Sequence, residues 1–182
     1  ASRRIADRFF ETVDLSGVRT LHCFISIPKF NELDTSPIYE RAWRDFPDVV
    51  TVAPRTDLRN GAIESVIFDS QTVWNENSWG IREPAGGYIV EPADIDLVVV
   101  PLLCFDEHLH RVGYGKGMYD KFLATCRREF FKVGVSLFPP VETIASTHEG
   151  DVPLDLVVTP DAVFRANAKE REIPGEAGSP AS

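Results

Sequence analysis

The sequence predicts an α/β protein, built as a mostly parallel sheet with helices on both faces. Three observations carry that prediction. Apolar runs rich in β-branched residues recur at 20–27 (TLHCFISI), 49–53 (VVTVA), 95–100 (IDLVVV), 133–138 (VGVSLF) and 156–159 (LVVT). They lack the polar alternation of a half-solvated strand and read as strands covered on both sides. Between them lie stretches whose apolar residues fall on one helical face. Finally, 182 residues with 43% hydrophobic content suit one domain with a substantial core.

Each element has a local reason. Arg3 to Val13 places Ile5, Phe9 and Phe10 on one side, as an amphipathic helix does. The first strand ends at Pro28, and the polar connection KFNELD follows. Thr35 then supplies an N-cap, and Pro37 suits the first turn of a helix carrying Ile38, Ala42, Trp43 and Phe46. Pro54 closes the second strand, Val49 to Ala53. Ser65 to Phe68 and Thr72 to Trp74 form short strands joined across Asp69 to Gln71. The stretch WGIREPAGGYIVEP, from Trp79, has the Gly and Pro density of an ordered loop. Beyond the third strand, Tyr119, Phe122, Leu123, Cys126 and Phe130 share one helical face. The sum is a three-layer, Rossmann-like domain over residues 1–164. Residues 165–182 carry almost no large apolar side chains and are expected to form a flexible tail.

Composition excludes several classes. A formal charge of −9 argues against nucleic acid and anionic membranes as partners. No apolar stretch approaches the ~20 residues that cross a bilayer. The N-terminus lacks the apolar core of a signal peptide and has no initiator Met, so the natural start is expected upstream. Cys23, Cys104 and Cys126 are odd in number, have no CxxC spacing and read as thiols of a reducing cytoplasm. A cytoplasmic monomer is expected.

The chain is organised around residues 95–132. There a buried strand leads to Gly113, Gly115 and Gly117 at every second position, with Arg111 and Lys116 among them, and then to a helix. Backbone N–H groups and the positive end of a helix dipole would face an anion, best a phosphate. A tight turn needing positive φ would by itself account for the glycines. Lys116 between two glycines adds a cation within reach of a phosphate, and Asp120, one turn on, adds an oxygen ligand for Mg²⁺. A second carboxylate, Asp155, begins the last strand in PLDLVVT, either as a ligand or as a strand-edge residue. His108 and His110 read as exposed loop residues and His22 as a strand residue. Trp79 reads as packing or as the wall of a ligand pocket.

Taken in order, DLVVVP, FD, RVGYGKGMYDKFL and PLDLVVT resemble the 5-formyltetrahydrofolate cyclo-ligase family, with FISIP…NELDT and WGIREP adding to the likeness. The resemblance spans about Ile5 to Val163. It implies ATP-dependent closure of 5-formyltetrahydrofolate to 5,10-methenyltetrahydrofolate, with release of ADP and phosphate. It also implies residue roles. Arg111, Val112, Gly113, Tyr114, Gly115, Lys116, Gly117, Met118 and Tyr119 would hold ATP, with Arg111 and Lys116 as the catalytic cations. Ile25, Glu32 and the run Tyr114 to Met118 would border the folate. Asp120 and Asp155 would bind Mg²⁺.

Three departures stand out. The family's lysine- and arginine-bearing first helix is not matched: the chain is expected either to start after it or to have an incomplete ATP site, and Arg3, Arg4 and Arg8 are not placed in its roles. Met118 stands where tyrosine is common, and Leu102 where glycine is usual. An alternative reading is therefore a non-catalytic homologue that binds nucleotide or folate. A sugar-phosphate isomerase or CoA-transferase-like protein on a similar sheet fits the GYGKGMYD loop less well.

Overall fold

The computed structural model describes residues 1–27, 32–57, 59–126, 129–145 and 148–166. Among the described residues three α-helices, α1 (Ser2–Thr12), α2 (Ser36–Asp45) and α3 (Met118–Thr125), accompany twelve strands. These are β1 (Thr20–Cys23), β2 (Val50–Asp57), β3 (Ala62–Ile67), β4 (Trp74–Glu76), β5 (Arg82–Pro84) and β6 (Ile89–Val90), then β7 (Leu97–Val100), β8 (Cys104–Phe105), β9 (Arg111–Val112), β10 (Phe131–Val135), β11 (Leu156–Val158) and β12 (Val163–Arg165). Eight strands form the main sheet in the order β12-β11-β10-β7-β1-β2-β3-β6. β1, β2, β7, β10 and β11 run parallel, while β3, β6 and β12 are antiparallel to their neighbours. Two small hairpins, β4-β5 and β8-β9, stand outside it.

The five parallel strands are the apolar runs of the sequence. Leu97 to Val100 and Leu156 to Val158 are inaccessible to solvent on both faces, so their lack of polar alternation has a direct cause. α1 and α2 cover one face through Ile5, Phe9, Ile38 and Ala42. α3 covers the other through Phe122 and Leu123, which pack with Val98, Val100 and Val157. The three-layer α/β expectation therefore holds.

Several boundaries differ. β1 stops at Cys23, because the chain turns away there and the Thr35 hydroxyl donates to the Phe24 carbonyl at 2.7 Å. That bond occupies the hydroxyl, so Thr35 precedes α2 without capping it through its side chain. Pro54 does not end β2. β1 pairs with β2 only as far as Val52, so the N–H that proline lacks falls where β2 has β3 alone beside it. Ser65 lies in β3 against β2, not in a hairpin with Trp74, whose strand pairs instead with β5. The WGIREP stretch is thus part strand. β12 carries Phe164 and Arg165 into the sheet, beyond the expected domain boundary at 164. The rest of the expected tail, residues 167–182, lies outside the described residues, as do residues 28–31 of the polar connection.

Two buried positions yield tests. A Cβ on Gly134 in β10 would come within 2.6 Å of Leu154 Cδ1 and 2.8 Å of Leu102 Cδ2. The glycine thus makes room for Leu102, the residue that departs from the family pattern. Gly134→Ala should lower unfolding free energy by about 1–3 kcal/mol, read from denaturant midpoints, and adding Leu102→Ala should recover part of it. His22 in β1 is fully buried, with Nδ1 3.0 Å from Ser65 Oγ and Nε2 3.3 Å from the Tyr119 hydroxyl. Burial lowers its pKa from 6.5 to about 3. Below pH 6.5 the unfolded chain therefore takes up a proton that the folded chain refuses. Stability should fall as pH drops from about 6.5 toward 3, by at most about 1.4 kcal/mol per pH unit from this group. His22→Gln should remove that component from a pH series of denaturation curves.

Candidate active site at the carboxyl edge of the sheet

Chain order places a crevice where β1 leads to β2 on one side and β7 lies on the other. Ligands of open α/β sheets bind at such a switch point, beyond the carboxyl ends of the strands. A cleft of about 240 Å³ occupies this place. Phe24 and Glu32 line it after β1, Leu102 and Leu103 after β7, and Phe138 after β10. Tyr114 of the glycine loop borders it as well. Ile25, half-buried, follows Phe24 at the same edge.

The glycine loop joins β9 to α3. Gly115 has φ +81° and Gly117, the residue that caps α3, has φ +60°. Side-chain-bearing residues rarely adopt these angles, so the glycine spacing has a backbone cause. The loop is open: a Cβ on Gly113, Gly115 or Gly117 would meet nothing within 4 Å. Tyr114, Gly115, Lys116 and Gly117 are all exposed, and Met118 is half-buried at the start of the helix.

The first turn of α3 is tied on two sides. Arg111 Nη2 donates to Asp120 Oδ1 at 2.8 Å, and Nη1 donates to the Val152 carbonyl at 2.6 Å. The Val152 amide donates to the same Asp120 oxygen at 3.2 Å. The Arg111 side chain is only 4% exposed. Here the structure departs from the expectation of a phosphate-facing cation, because the guanidinium is taken up by partners that close the base of the loop. On the other side Tyr119 reaches His22. Burial, followed by the charges of Cys23 and Glu32, pushes the Tyr119 hydroxyl well above the ordinary tyrosine value.

Two loop side chains reach neighbouring segments. The Lys116 ammonium sits 3.6 Å from the ring centroid of Trp79, in the turn between β4 and β5. The Tyr114 hydroxyl bonds to Glu32; burial first, and then that bond and charge, raise its pKa. Glu32 also accepts the Ile27 amide at 2.7 Å. The structure thus brings Glu32, Tyr114 and Lys116 to one edge, close to Ile25.

Each of the two proposed metal carboxylates is held by a cation, Asp120 by Arg111 and Asp155 by Lys132. Asp155 Oδ2 lies 2.8 Å from Lys132 Nζ and accepts the Lys132 amide at 2.9 Å. Asp120 lies beside Val152, and up to about 10 Å of chain separates Val152 from Asp155. Burial raises the thiol pKa of Cys126, the C-cap of α3, to about 11, with the Lys132 charge opposing the shift. Among the described residues, no group of three or more His, Cys, Asp and Glu side chains is placed to hold a metal. A Mg²⁺ ion usually binds through one or two carboxylates plus substrate phosphates. Asp120, at the loop and 27% exposed, fits that requirement.

His108 and His110 belong to a loop organised by Asp106. Asp106, fully buried, accepts the amides of His108, His110 and Ile144 and lies 3.2 Å from His110 Nδ1. Burial opposes its ionised form, but the Ile144 amide and the His110 ring and amide outweigh that and lower its pKa. Arg4 pairs with Asp161 at 2.6 Å, and Arg8 reaches the Pro160 carbonyl at 3.4 Å. Lys132 as the partner of Asp155, and Val152 as the partner of Arg111, left no local signal in the sequence. Each contact joins residues more than twenty positions apart.

Comparison with known proteins agrees with this geometry. A model of the 5-formyltetrahydrofolate cyclo-ligase family matches residues 1–160. A probable 5-formyltetrahydrofolate cyclo-ligase of Schizosaccharomyces pombe is 35% identical over 115 residues, which are 54% of this chain and 55% of that protein. The chain thus spans about half the length of that relative. The Escherichia coli K12 5-formyltetrahydrofolate cyclo-ligase is 28% identical over 148 residues, 80% of each chain. In fold, the chain resembles the 5,10-methenyltetrahydrofolate synthetase of Aquifex aeolicus, with a TM-score of 0.76 and 24% identity over 97% of this chain and 87% of that one. The parallel sheet, the open glycine loop and these matches lead to one conclusion: the chain belongs to the 5-formyltetrahydrofolate cyclo-ligase family.

Proposed function

We propose that the protein closes 5-formyltetrahydrofolate to 5,10-methenyltetrahydrofolate at the expense of ATP. The observation that carries this reading is the open glycine loop, with Lys116 between two left-handed glycines, beside the cleft at the carboxyl edge of the sheet. An amide-like formyl oxygen is a poor leaving group. Transfer of the γ-phosphoryl group to that oxygen makes it a good one and releases ADP. N10 of the folate then attacks the formyl carbon, loses its proton, and the C–O bond breaks to expel phosphate.

No covalent nucleophile is needed from the protein. Its task is to align two substrates and offset charge on the transferring phosphoryl group. The N–H groups of Gly113 to Gly117 cradle the phosphates, and Lys116 supplies the cation. Val112 and Tyr119 bound the nucleotide loop. Arg111 keeps the loop in shape through Asp120 and Val152. Ile25, Glu32 and Tyr114 to Met118 border the folate, with Glu32 on the polar edge of the pterin. Mg²⁺ bound with ATP would neutralise phosphate charge, and Asp120 and Asp155 are the carboxylates proposed to hold it.

In the cell, the three unpaired thiols suit a reducing cytoplasm. Among the described residues no helix is long and apolar enough to cross a membrane. We assign the protein as a cytoplasmic monomer with no nucleic-acid partner.

The test is to incubate the protein with 5-formyltetrahydrofolate, ATP and Mg²⁺ and follow methenyltetrahydrofolate by its near-ultraviolet absorbance. Growth of that absorbance only when ATP is present is the expected result. Binding of both substrates without product would point to the non-catalytic homologue instead. Lys116→Ala should raise the KM for ATP roughly tenfold or more, the scale of one charged hydrogen bond. Asp120→Asn should raise the Mg²⁺ concentration needed for half-maximal rate, and Asp155→Asn, which weakens the hold on Lys132, should also lower the melting temperature.

A further inference from the structure

We infer that Trp79 is the positioning residue for Lys116, so that the turn between β4 and β5 sets the reach of the cationic loop toward nucleotide phosphate. The inference rests on the cyclo-ligase reading and adds to it a residue in a different segment of the chain.

Lys116 is flanked by Gly115 and Gly117, where an added Cβ would meet nothing within 4 Å, so no neighbouring atoms pack against the loop there to fix the lysine. Its ammonium lies 3.6 Å from the Trp79 centroid, well inside the ~6 Å reach of a cation–π contact, and tryptophan is the strongest aromatic partner. A lysine so held keeps its positive charge and its N–H donors on the outer side. It therefore loses less freedom when a phosphate arrives.

Trp79 can fix another residue because it is itself fixed. Asn77 Oδ1 accepts the amides of Trp79 at 2.9 Å and Ile81 at 3.1 Å, and the Asn77 carbonyl accepts the Gly80 amide at 2.8 Å. Asn77 Nδ2 donates to Glu83 Oε1 at 3.0 Å, and the same oxygen accepts the Thr56 amide of β2 at 2.8 Å. Glu83 is 8% exposed. A buried carboxylate on β5, bonded to the Thr56 amide of the main sheet, thus anchors an asparagine, which shapes the turn presenting the indole. The chain Glu83, Asn77, Trp79, Lys116 leads from the sheet to the loop. It also accounts for an acid buried away from any basic side chain that the reaction uses.

The test combines binding and kinetics of the intact protein. Affinity for a non-hydrolysable ATP analogue is measured by calorimetry in the unmodified protein, Trp79→Leu, Trp79→Phe, Lys116→Met and the double variant Trp79→Leu/Lys116→Met. Trp79→Leu should weaken analogue binding by roughly three- to fivefold and raise the KM for ATP more than it lowers kcat. Trp79→Phe should recover part of the loss, since a phenyl face still attracts a cation. The double variant should bind no worse than Lys116→Met, because the two residues act through one contact. Losses that multiply in the double variant would overturn the inference. So would Trp79→Leu raising the KM for folate alone, as expected of a pocket wall. An unmodified protein that fails to bind the analogue would defeat the cyclo-ligase reading together with the inference. Intact binding that Trp79→Leu leaves unchanged would defeat the inference alone.

Discussion

The arrangement of the active edge depends on one buried cation. Arg111 reaches Val152 and Asp120 with separate nitrogens, and the Val152 amide returns to the same carboxylate. Three segments therefore meet in one closed set of bonds: the start of β9, the first turn of α3 and the approach to β11. A buried ion pair adds little net stability over apolar packing, but breaking it leaves a charge stranded. Its worth here is geometric. It fixes both ends of a loop that contains three glycines and would otherwise have wide conformational freedom.

With the ends fixed, the glycines serve their purpose. Gly115 and Gly117 take left-handed backbone angles that turn the chain sharply into α3 while keeping the middle of the loop open to solvent. Tyr119 then locks the helix to the sheet through His22, which burial keeps neutral. The loop is thus held at its base and free at its rim, where Lys116 and Tyr114 reach toward Trp79 and Glu32. That division suits a site in which two substrates must be aligned and no protein nucleophile is needed.

Some of this was legible in the sequence, and the reasons are specific. The parallel strands could be read because burial on both faces leaves them uniformly apolar, as in Leu97 to Val100. The glycine loop could be read because positive φ demands glycine, and Lys116 stands between two of them. β3, β6 and β12 were obscured or missed because antiparallel strands near the sheet edges are short or half-exposed and carry little pattern. Pro54 misled because its cost depends on whether a neighbour needs its N–H, which is a property of the sheet. The same limit applied to the site. Residue types pointed to Arg111 and Asp155 as ligand-facing groups. Their partners, Val152 and Lys132, are chosen by topology, and they turn one residue into a loop anchor and the other into a strand-edge ion pair.

The central claim is that backbone N–H groups of residues 113–117 seat the nucleotide phosphates. The most direct measurement is an amide-resolved NMR titration with Mg²⁺ and a non-hydrolysable ATP analogue. The account predicts that the amide signals of Gly113, Gly115 and Gly117 shift most and saturate together. Saturable binding that leaves those three amides unmoved while signals elsewhere shift would contradict it.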